Sequence, residues 1–280
     1  MAYDAPTLKQ TSTLNVAPVA GESGIWQSDM GPAADAEGHV YVVTGNGKYT
    51  VHAGGQDYGD SVLKLRLSQG RLGVVDHFTP SNEARLNERD LDLGASGPLL
   101  LPDLPGDHPR LLILGGKEAR LQVLDRDRLK DQPLQAVATK GGTYSTPAYW
   151  NGHVFVLSSN DSVRDYRVDG RHLTGVAVSA RTFLNPGAAP AISSNGTRDG
   201  IVWAVATKVW NDFNSTTSSV LHAFDATNVA RELYSSDEKA ARDRAGIALR
   251  FAVPTVANGR VYIGTTKEVD VYGLLPPNVR

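Results

Sequence analysis

Residues 145–155 read Ser-Thr-Pro-Ala-Tyr-Trp-Asn-Gly-His-Val-Phe, which is a short strand-like segment, a polar turn and a second, apolar strand. The same phrase returns along the chain at a period of about forty to fifty residues. Its other copies begin at Gly31, Ala189 and Val253, and a looser copy begins at Ser96. A repeat of this period that contains only short strands is typical of a β-propeller, whose blades are four-stranded sheets.

The repeats predict a single all-β propeller domain over residues 1–280, with about five four-stranded blades. The blades are expected at residues 24–80, 91–139, 141–180, 183–236 and 248–275. The last repeat supplies three strands, and we expect residues 8–15 to close that blade, because a propeller removes exposed strand edges by joining its termini. The alternative is a fragment of a larger ring, which the likeness of residues 3–5 to residues 223–226 favours.

The composition narrows the classes of function. Twenty-eight Lys and Arg residues against 30 Asp and Glu give a net charge of −2, which supplies no electrostatic reason to expect a nucleic-acid partner. The chain has no cysteine, so thiolate metal sites and cysteine nucleophiles are excluded. No apolar run is long enough to predict a membrane span. Residues 1–6 have neither a basic nor an apolar region, so we expect no signal peptide.

Three phrases resemble the quinoprotein dehydrogenase-like propellers, the superfamily of the pyrroloquinoline quinone (PQQ) alcohol dehydrogenases. They are residues 26–47, which end Val-Val-Thr-Gly-Asn-Gly, residues 90–94, Asp-Leu-Asp-Leu-Gly, and residues 116–126, which end Val-Leu-Asp-Arg. The likeness covers most of the chain as blades, and the specific phrases lie within residues 24–130. It implies a periplasmic or secreted bacterial protein. The adjacent cysteines of the alcohol dehydrogenases have no counterpart here.

The resemblance implies a role for five residues. Trp26 would form the floor under the quinone, and Asn46 would be an amide ligand of a calcium ion. Asp90 or Asp92 would be the catalytic base, and Asp92 could share the metal. Lys117 would hold the quinone oxygens. The chemistry is coherent, because a hard cation takes oxygen ligands and a cation on an orthoquinone makes it electrophilic.

Each of these residues also has a structural interpretation. Trp26 could simply pack between blades, and Asn46 lies between two glycines, where a turn is expected. Asp90 and Asp92 could be part of a solvated loop, and Lys117 could be part of an exposed charged turn. The predicted central pocket also contains four polar residues at or near the starts of inner strands, which are Ser96, Thr143, Asn185 and Arg250.

We therefore expect a quinoprotein-like propeller whose polar pocket binds a small ligand or a hard cation such as calcium. If PQQ is retained, the reaction would be oxidation of an alcohol or a sugar. One alternative is a metal-dependent hydrolase with an Asp, Asn and His site in the channel. The other is a non-catalytic scaffold for protein interactions, since the superfamily includes scaffold-type relatives of outer-membrane assembly factors. An incomplete ring would expose strand edges and favour a dimer.

Overall fold

The structure is a computed structural model that describes residues 1–207 and 216–275. Its strands are β1 (Ala2–Tyr3), β2 (Gln10–Ser12), β3 (Ala33–Ala34), β4 (His39–Val43), β5 (Val62–Ser68), β6 (Arg71–Phe78), β7 (Leu99–Leu100), β8 (Leu111–Leu114), β9 (Arg120–Asp125), β10 (Gln135–Ala138), β11 (Ala148–Trp150), β12 (His153–Val156), β13 (Asp161–Asp169), β14 (His172–Phe183), β15 (Ala191–Asn195), β16 (Arg198–Ala206), β17 (Val220–Asp225), β18 (Glu232–Ser235), β19 (Thr255–Ala257), β20 (Arg260–Gly264) and β21 (Val269–Gly273). The helices are short: α1 (Glu83–Glu88), α2 (Ala240–Asp243) and the 3-10 helices Val51–Ala53 and Leu93–Ala95.

The strands form successive antiparallel meanders. Sheets β3–β6, β7–β10, β11–β14 and β15–β18 have four strands each, and sheet β19–β21 has three among the described residues. The prediction of an all-β chain of four-stranded sheets is therefore confirmed. The sequence also predicts a surface loop over residues 208–219, of which residues 208–215 lie outside the described residues. No helix in residues 1–207 or 216–275 has the length and apolarity to cross a bilayer.

The chain divides into two compact units, Met1–Ala138 and Thr139–Arg280. In the first unit, strand β4 sends alternate side chains to opposite faces of its sheet, as the two-residue period of a strand requires. Tyr41 and Val43 are buried in one cluster with Leu112 and Leu114 of the neighbouring sheet. Val42 lies on the other face, in a cluster to which Leu14 and Val16 of the N-terminal segment add partly buried side chains.

The second unit repeats this arrangement. Val202 and Ala204 of β16 are buried with Phe155 and Phe183 of the preceding sheet. Val205 lies in a separate buried cluster with residues of the last sheet, including Val261 and Ile263. The sheet β15–β18 is consequently covered on both faces, which explains why its central strands read as nearly continuous apolar runs.

The predicted closure of the last sheet by residues 8–15 is not confirmed. The N-terminal strand β2 pairs with β1 in a two-stranded sheet and does not join the three strands of the last sheet. Instead the N-terminal segment is tied to the first sheet, since the Leu72 N–H donates to Ser12 Oγ at 2.8 Å and the Tyr58 N–H donates to the Val16 carbonyl at 2.8 Å. The physical reason is the apolar outer face of sheet β3–β6, which Leu14 and Val16 cover.

We expect Phe155→Ala to lower the free energy of unfolding by about 3–5 kcal/mol, because the ring is fully buried and its loss leaves a cavity. Leu184→Ala is the matched control, since Leu184 is 51% exposed and its truncation should cost much less. Urea unfolding followed by circular dichroism measures both variants. Equal losses in the two variants would contradict the proposed core.

Candidate functional site

Loops at the ends of neighbouring strands bring five polar residues together in the first unit. Asn46 follows β4, Asp60 precedes β5, Asp90 and Asp92 follow helix α1, and Lys117 lies between β8 and β9. We call this set the acidic cluster. Four of these residues were predicted as site residues from the sequence, and the structure brings those four into contact.

Lys117 is the centre of the acidic cluster. Its Nζ lies 2.6 Å from Asp90 Oδ1 and 2.5 Å from Asp92 Oδ2. Asn46 binds the same two carboxylates, because its Nδ2 donates to Asp90 Oδ1 at 2.7 Å and its backbone N–H donates to Asp92 Oδ1 at 2.7 Å. The side chains of Lys117 and Asp92 are only 15% and 10% exposed, so their charge-assisted contact is shielded from water, whereas the Asp90 side chain is 76% exposed.

These contacts shift the pKa values of Asp90 and Lys117. Hydrogen bonding from Lys117 is the main cause that lowers the pKa of Asp90. Burial by itself would lower the pKa of the Lys117 ammonium, but the carboxylates of Asp90 and Asp92 outweigh it and raise that pKa. Lys117 is therefore a permanent cation at neutral pH, and it neutralises one of its two acidic partners.

Close backbone packing determines where these side chains lie. A Cβ on Gly94 would lie 2.7 Å from the Gly45 nitrogen, so glycine lets the 3-10 helix Leu93–Ala95 approach the loop after β4. The Lys117 N–H donates to the Asp92 carbonyl at 3.0 Å, which joins the two loops through their backbones. Ser96 Oγ accepts the Gly115 N–H at 3.1 Å, so this predicted ligand-binding residue is fully buried in the same junction.

Asp60 is the member of the acidic cluster that sequence reasoning missed. It is fully buried, its Oδ1 accepts the Leu93 N–H at 2.8 Å, and its Oδ2 has no hydrogen-bond partner within the described residues. Burial raises the pKa of Asp60 to about 7, and the nearby Asp92 charge adds to the effect. The sequence offers no signal for this role, because Asp60 simply reads as the start of an alternating strand.

Trp26 borders the acidic cluster. Lys117 Nζ lies 5.7 Å from the centroid of the Trp26 ring, within range of a cation–π interaction, and Trp26 is 40% exposed. Glycine at position 45 leaves room for this arrangement, since a Cβ there would lie 3.0 Å from Trp26 Nε1 and would collide with Asp92 Oδ1. The predicted role of Trp26 as a floor for a flat ligand stays a prediction.

The other three predicted site residues lie in the second unit. Thr143 is fully buried, and its Oγ1 has no hydrogen-bond partner in the part of the chain that the structure describes. Asn185 Oδ1 accepts the Ser159 hydroxyl at 2.8 Å, and the Ser159 N–H binds the Gly142 carbonyl beside Thr143. The guanidinium carbon of Arg250 lies 5.7 Å from the centroid of the Phe251 ring. Within this unit, Ser159 thus connects the loops of Thr143 and Asn185.

Four of the seven histidines have a different role. In each four-stranded sheet, one histidine Nδ1 contacts a carboxylate: His39 with Asp35 at 3.0 Å, His108 with Asp125, His153 with Asp165 and His222 with Glu232, the last three at 2.8 Å. Donor atoms of Asp35, Glu37 and His39 lie within 4.8 Å of one another, which would suit a metal ion. However, the recurrence of the same pair in four sheets indicates that its role is to hold strands and turns together.

We expect Gly45→Ala to destabilise the protein by about 1–3 kcal/mol, because the added methyl group must displace Asp92. Gly24→Ala is the matched control. Gly24 lies in the neighbouring loop, its carbonyl accepts the Gly45 N–H, and a Cβ there meets nothing within 4 Å. Thermal and urea melts measure both variants. A neutral Gly45→Ala variant would mean that Asp92 is not held as described.

Asp60→Asn should change how stability depends on pH. Because the folded-state pKa of Asp60 is raised to about 7, ionising this carboxylate costs the wild type stability as pH rises from about 4 to 7. The asparagine does not ionise and keeps the oxygen that accepts the Leu93 N–H. In chelator-treated protein, we expect the variant to gain stability relative to the wild type between pH 5 and pH 8, by urea unfolding. A difference that is independent of pH would refute the shift.

No family model and no curated protein matches the chain. Solved structures do resemble it. The β-propeller domain of Myceliophteria thermophila Cps50 (Swd1) aligns with a TM-score of 0.51 at 12% identity, over 92% of this chain and 69% of that one. BamB from Moraxella catarrhalis aligns with a TM-score of 0.49 at 12% identity, over 86% of this chain and 56% of that one. The computationally designed Ika8 protein aligns with a TM-score of 0.45 at 12% identity, over 87% of this chain and 70% of that one. At this identity, the likeness to the Swd1 domain shows a fold of the β-propeller type and nothing about activity.

Proposed function

We propose that the protein is a β-propeller whose acidic cluster binds a hard cation such as calcium, and that its five meander sheets are blades. The blade interpretation is supported by the repeated strand order of the sheets and by the likeness to the Swd1 propeller domain. The cation proposal is supported by one observation above all. Two buried oxygens of the acidic cluster, Asn46 Oδ1 and Asp60 Oδ2, have no hydrogen-bond donor within the described residues.

Unpartnered buried oxygens are costly, and they are rare in native proteins unless a water, an ion or a function accounts for them. Both oxygens belong to the same loop junction. The Asp60 N–H donates to the Gly45 carbonyl at 2.9 Å, beside Asn46, and the Asn46 N–H binds Asp92. A cation near these oxygens would replace the missing donors.

The charge balance of the acidic cluster also favours a cation. Asp60, Asp90 and Asp92 contribute three carboxyl groups, whereas Lys117 contributes a single ammonium that already contacts two of them. Amide and carboxylate oxygens are the ligands that calcium prefers in proteins. Asn46 and Asp92, which were predicted as metal ligands, would then act together with Asp60.

The excess of carboxyl groups in the acidic cluster argues against the predicted binding of PQQ. This quinone carries three carboxylates of its own, and the Lys117 ammonium that would hold it is engaged by Asp90 and Asp92. Lys117 also lies over the Trp26 ring that a flat cofactor would need. The donor set therefore does not fit the quinone, and we derive no redox step from it. Four of the seven histidines are each engaged by a carboxylate, so these four give the hydrolase alternative no support.

Isothermal titration of chelator-treated protein with calcium chloride tests the proposal. We expect saturable binding of one ion, weakened by roughly tenfold or more, or about 1.4 kcal/mol, in both Asp60→Asn and Asn46→Ala. Because Asp60 must lose its proton to serve as a ligand, the affinity should fall as pH is lowered through about 7.

Asp127→Asn is the control for charge alone. Asp127 is a 39% exposed carboxylate in the same unit, where it pairs with Arg110, and its loss should leave calcium binding unchanged. Heat absent at every calcium concentration would reject the cation site. Equal weakening by all three variants would assign the binding to diffuse surface charge instead.

A further inference from the structure

The outer edge of β21 has no strand beside it among the described residues. This strand pairs only with β20, whereas the outermost strands of the preceding sheets each complete a set of four. The ladder between β20 and β21 is regular, from Arg260 opposite Gly273 to Gly264 opposite Val269, with no register shift. A regular edge of this kind presents a row of backbone donors and acceptors to any strand that approaches it.

Edge strands are usually protected by lysine, by proline or by a bulge. Residues 269–273 read Val-Asp-Val-Tyr-Gly and contain neither lysine nor proline. The outermost strands β6, β14 and β18 each meet their neighbour through a register shift, whereas β21, like β10, does not. This edge therefore has no lysine, proline or bulge to oppose pairing with another chain, and the carboxylate of its one charged residue, Asp270, is bound by the Gly246 N–H.

Two hydrogen bonds also tie the strand to residues 243–246. Asp270 Oδ2 accepts the Gly246 N–H at 3.1 Å, and the Tyr272 hydroxyl donates to the Asp243 carbonyl at 3.0 Å. Val269 and Val271 lie on the opposite face and are 65% and 50% exposed. An incoming strand would thus meet an ordered edge flanked by apolar side chains, and little ordering entropy would oppose pairing.

We propose that a second copy of this chain pairs its own β21 with this edge in antiparallel orientation, so that two three-stranded sheets become one continuous sheet across a two-fold axis. Such an isologous contact requires a strand that is complementary to itself. A two-fold axis at Val271 places that valine opposite its own copy and places Asp270 opposite Tyr272. The only charged side chain of the strand then faces no like charge, and the exposed valines of both copies join in one patch.

The test is the oligomeric state, measured by size-exclusion chromatography with light scattering over a range of protein concentrations. We expect the wild type to be a dimer and Val271→Lys to be a monomer, because the register places the two new ammonium groups directly opposite each other. Val271→Glu should be a monomer for the same reason. An equimolar mixture of Val271→Lys and Val271→Glu should form a heterodimer, since opposite charges then face each other.

Two controls separate this contact from general effects. Val271→Thr keeps the β-branched shape and should stay dimeric. Val176→Lys alters an equally exposed valine, 52% accessible on β14, and should also stay dimeric. A wild type that is monomeric at every soluble concentration overturns the proposal, as does a dimeric Val271→Lys. Failure of the mixture to form a heterodimer overturns the register, and dissociation of Val176→Lys would place the contact elsewhere.

Discussion

The need to cover both apolar faces of a sheet is the constraint on which the rest of this structure depends. Strand β16 shows it clearly, since Val202 and Ala204 are buried against the preceding sheet while Val205 is buried against the following one. At about 25 cal/mol per Å² of apolar surface, exposing either face would be expensive compared with the stability of a typical domain. Sheet β15–β18 has both faces covered because it packs between the preceding sheet and the following one. Repetition of the same meander supplies these neighbouring sheets.

The N-terminal segment shows the same constraint acting against the expected topology. Strand pairing with the last sheet would have completed a ladder, but the segment covers the outer face of sheet β3–β6 with Leu14 and Val16 instead. Sheet β19–β21 is left with three strands in the described chain and with exposed valines on β21. Covering an apolar face and completing a strand ladder are different requirements, and the short N-terminal segment meets the first one, at sheet β3–β6.

The acidic cluster follows from the architecture of the sheets. Side chains inside the strands are committed to the apolar clusters, so polar groups collect in the loops where neighbouring strands end. Lys117 stabilises the acidic cluster, because its ammonium binds the carboxylates of Asp90 and Asp92, which would otherwise repel each other. The Asp60 carboxyl group remains destabilising, since it is buried and, among the described residues, receives a single hydrogen bond, from the Leu93 N–H. The proposed cation would offset this remaining negative charge.

The sequence by itself determined the all-β class, the repeat and the three strands of the last sheet. These features are local, because a two-residue apolar period and a turn signal are visible in a short window. It also placed Asn46, Asp90, Asp92 and Lys117 in one site, although only through resemblance. The tertiary structure alone decided that Asp60 joins them, that four histidines pair with carboxylates and that the N-terminal segment covers a face. Each of these depends on contacts between residues that are distant along the chain, and no periodicity encodes such contacts.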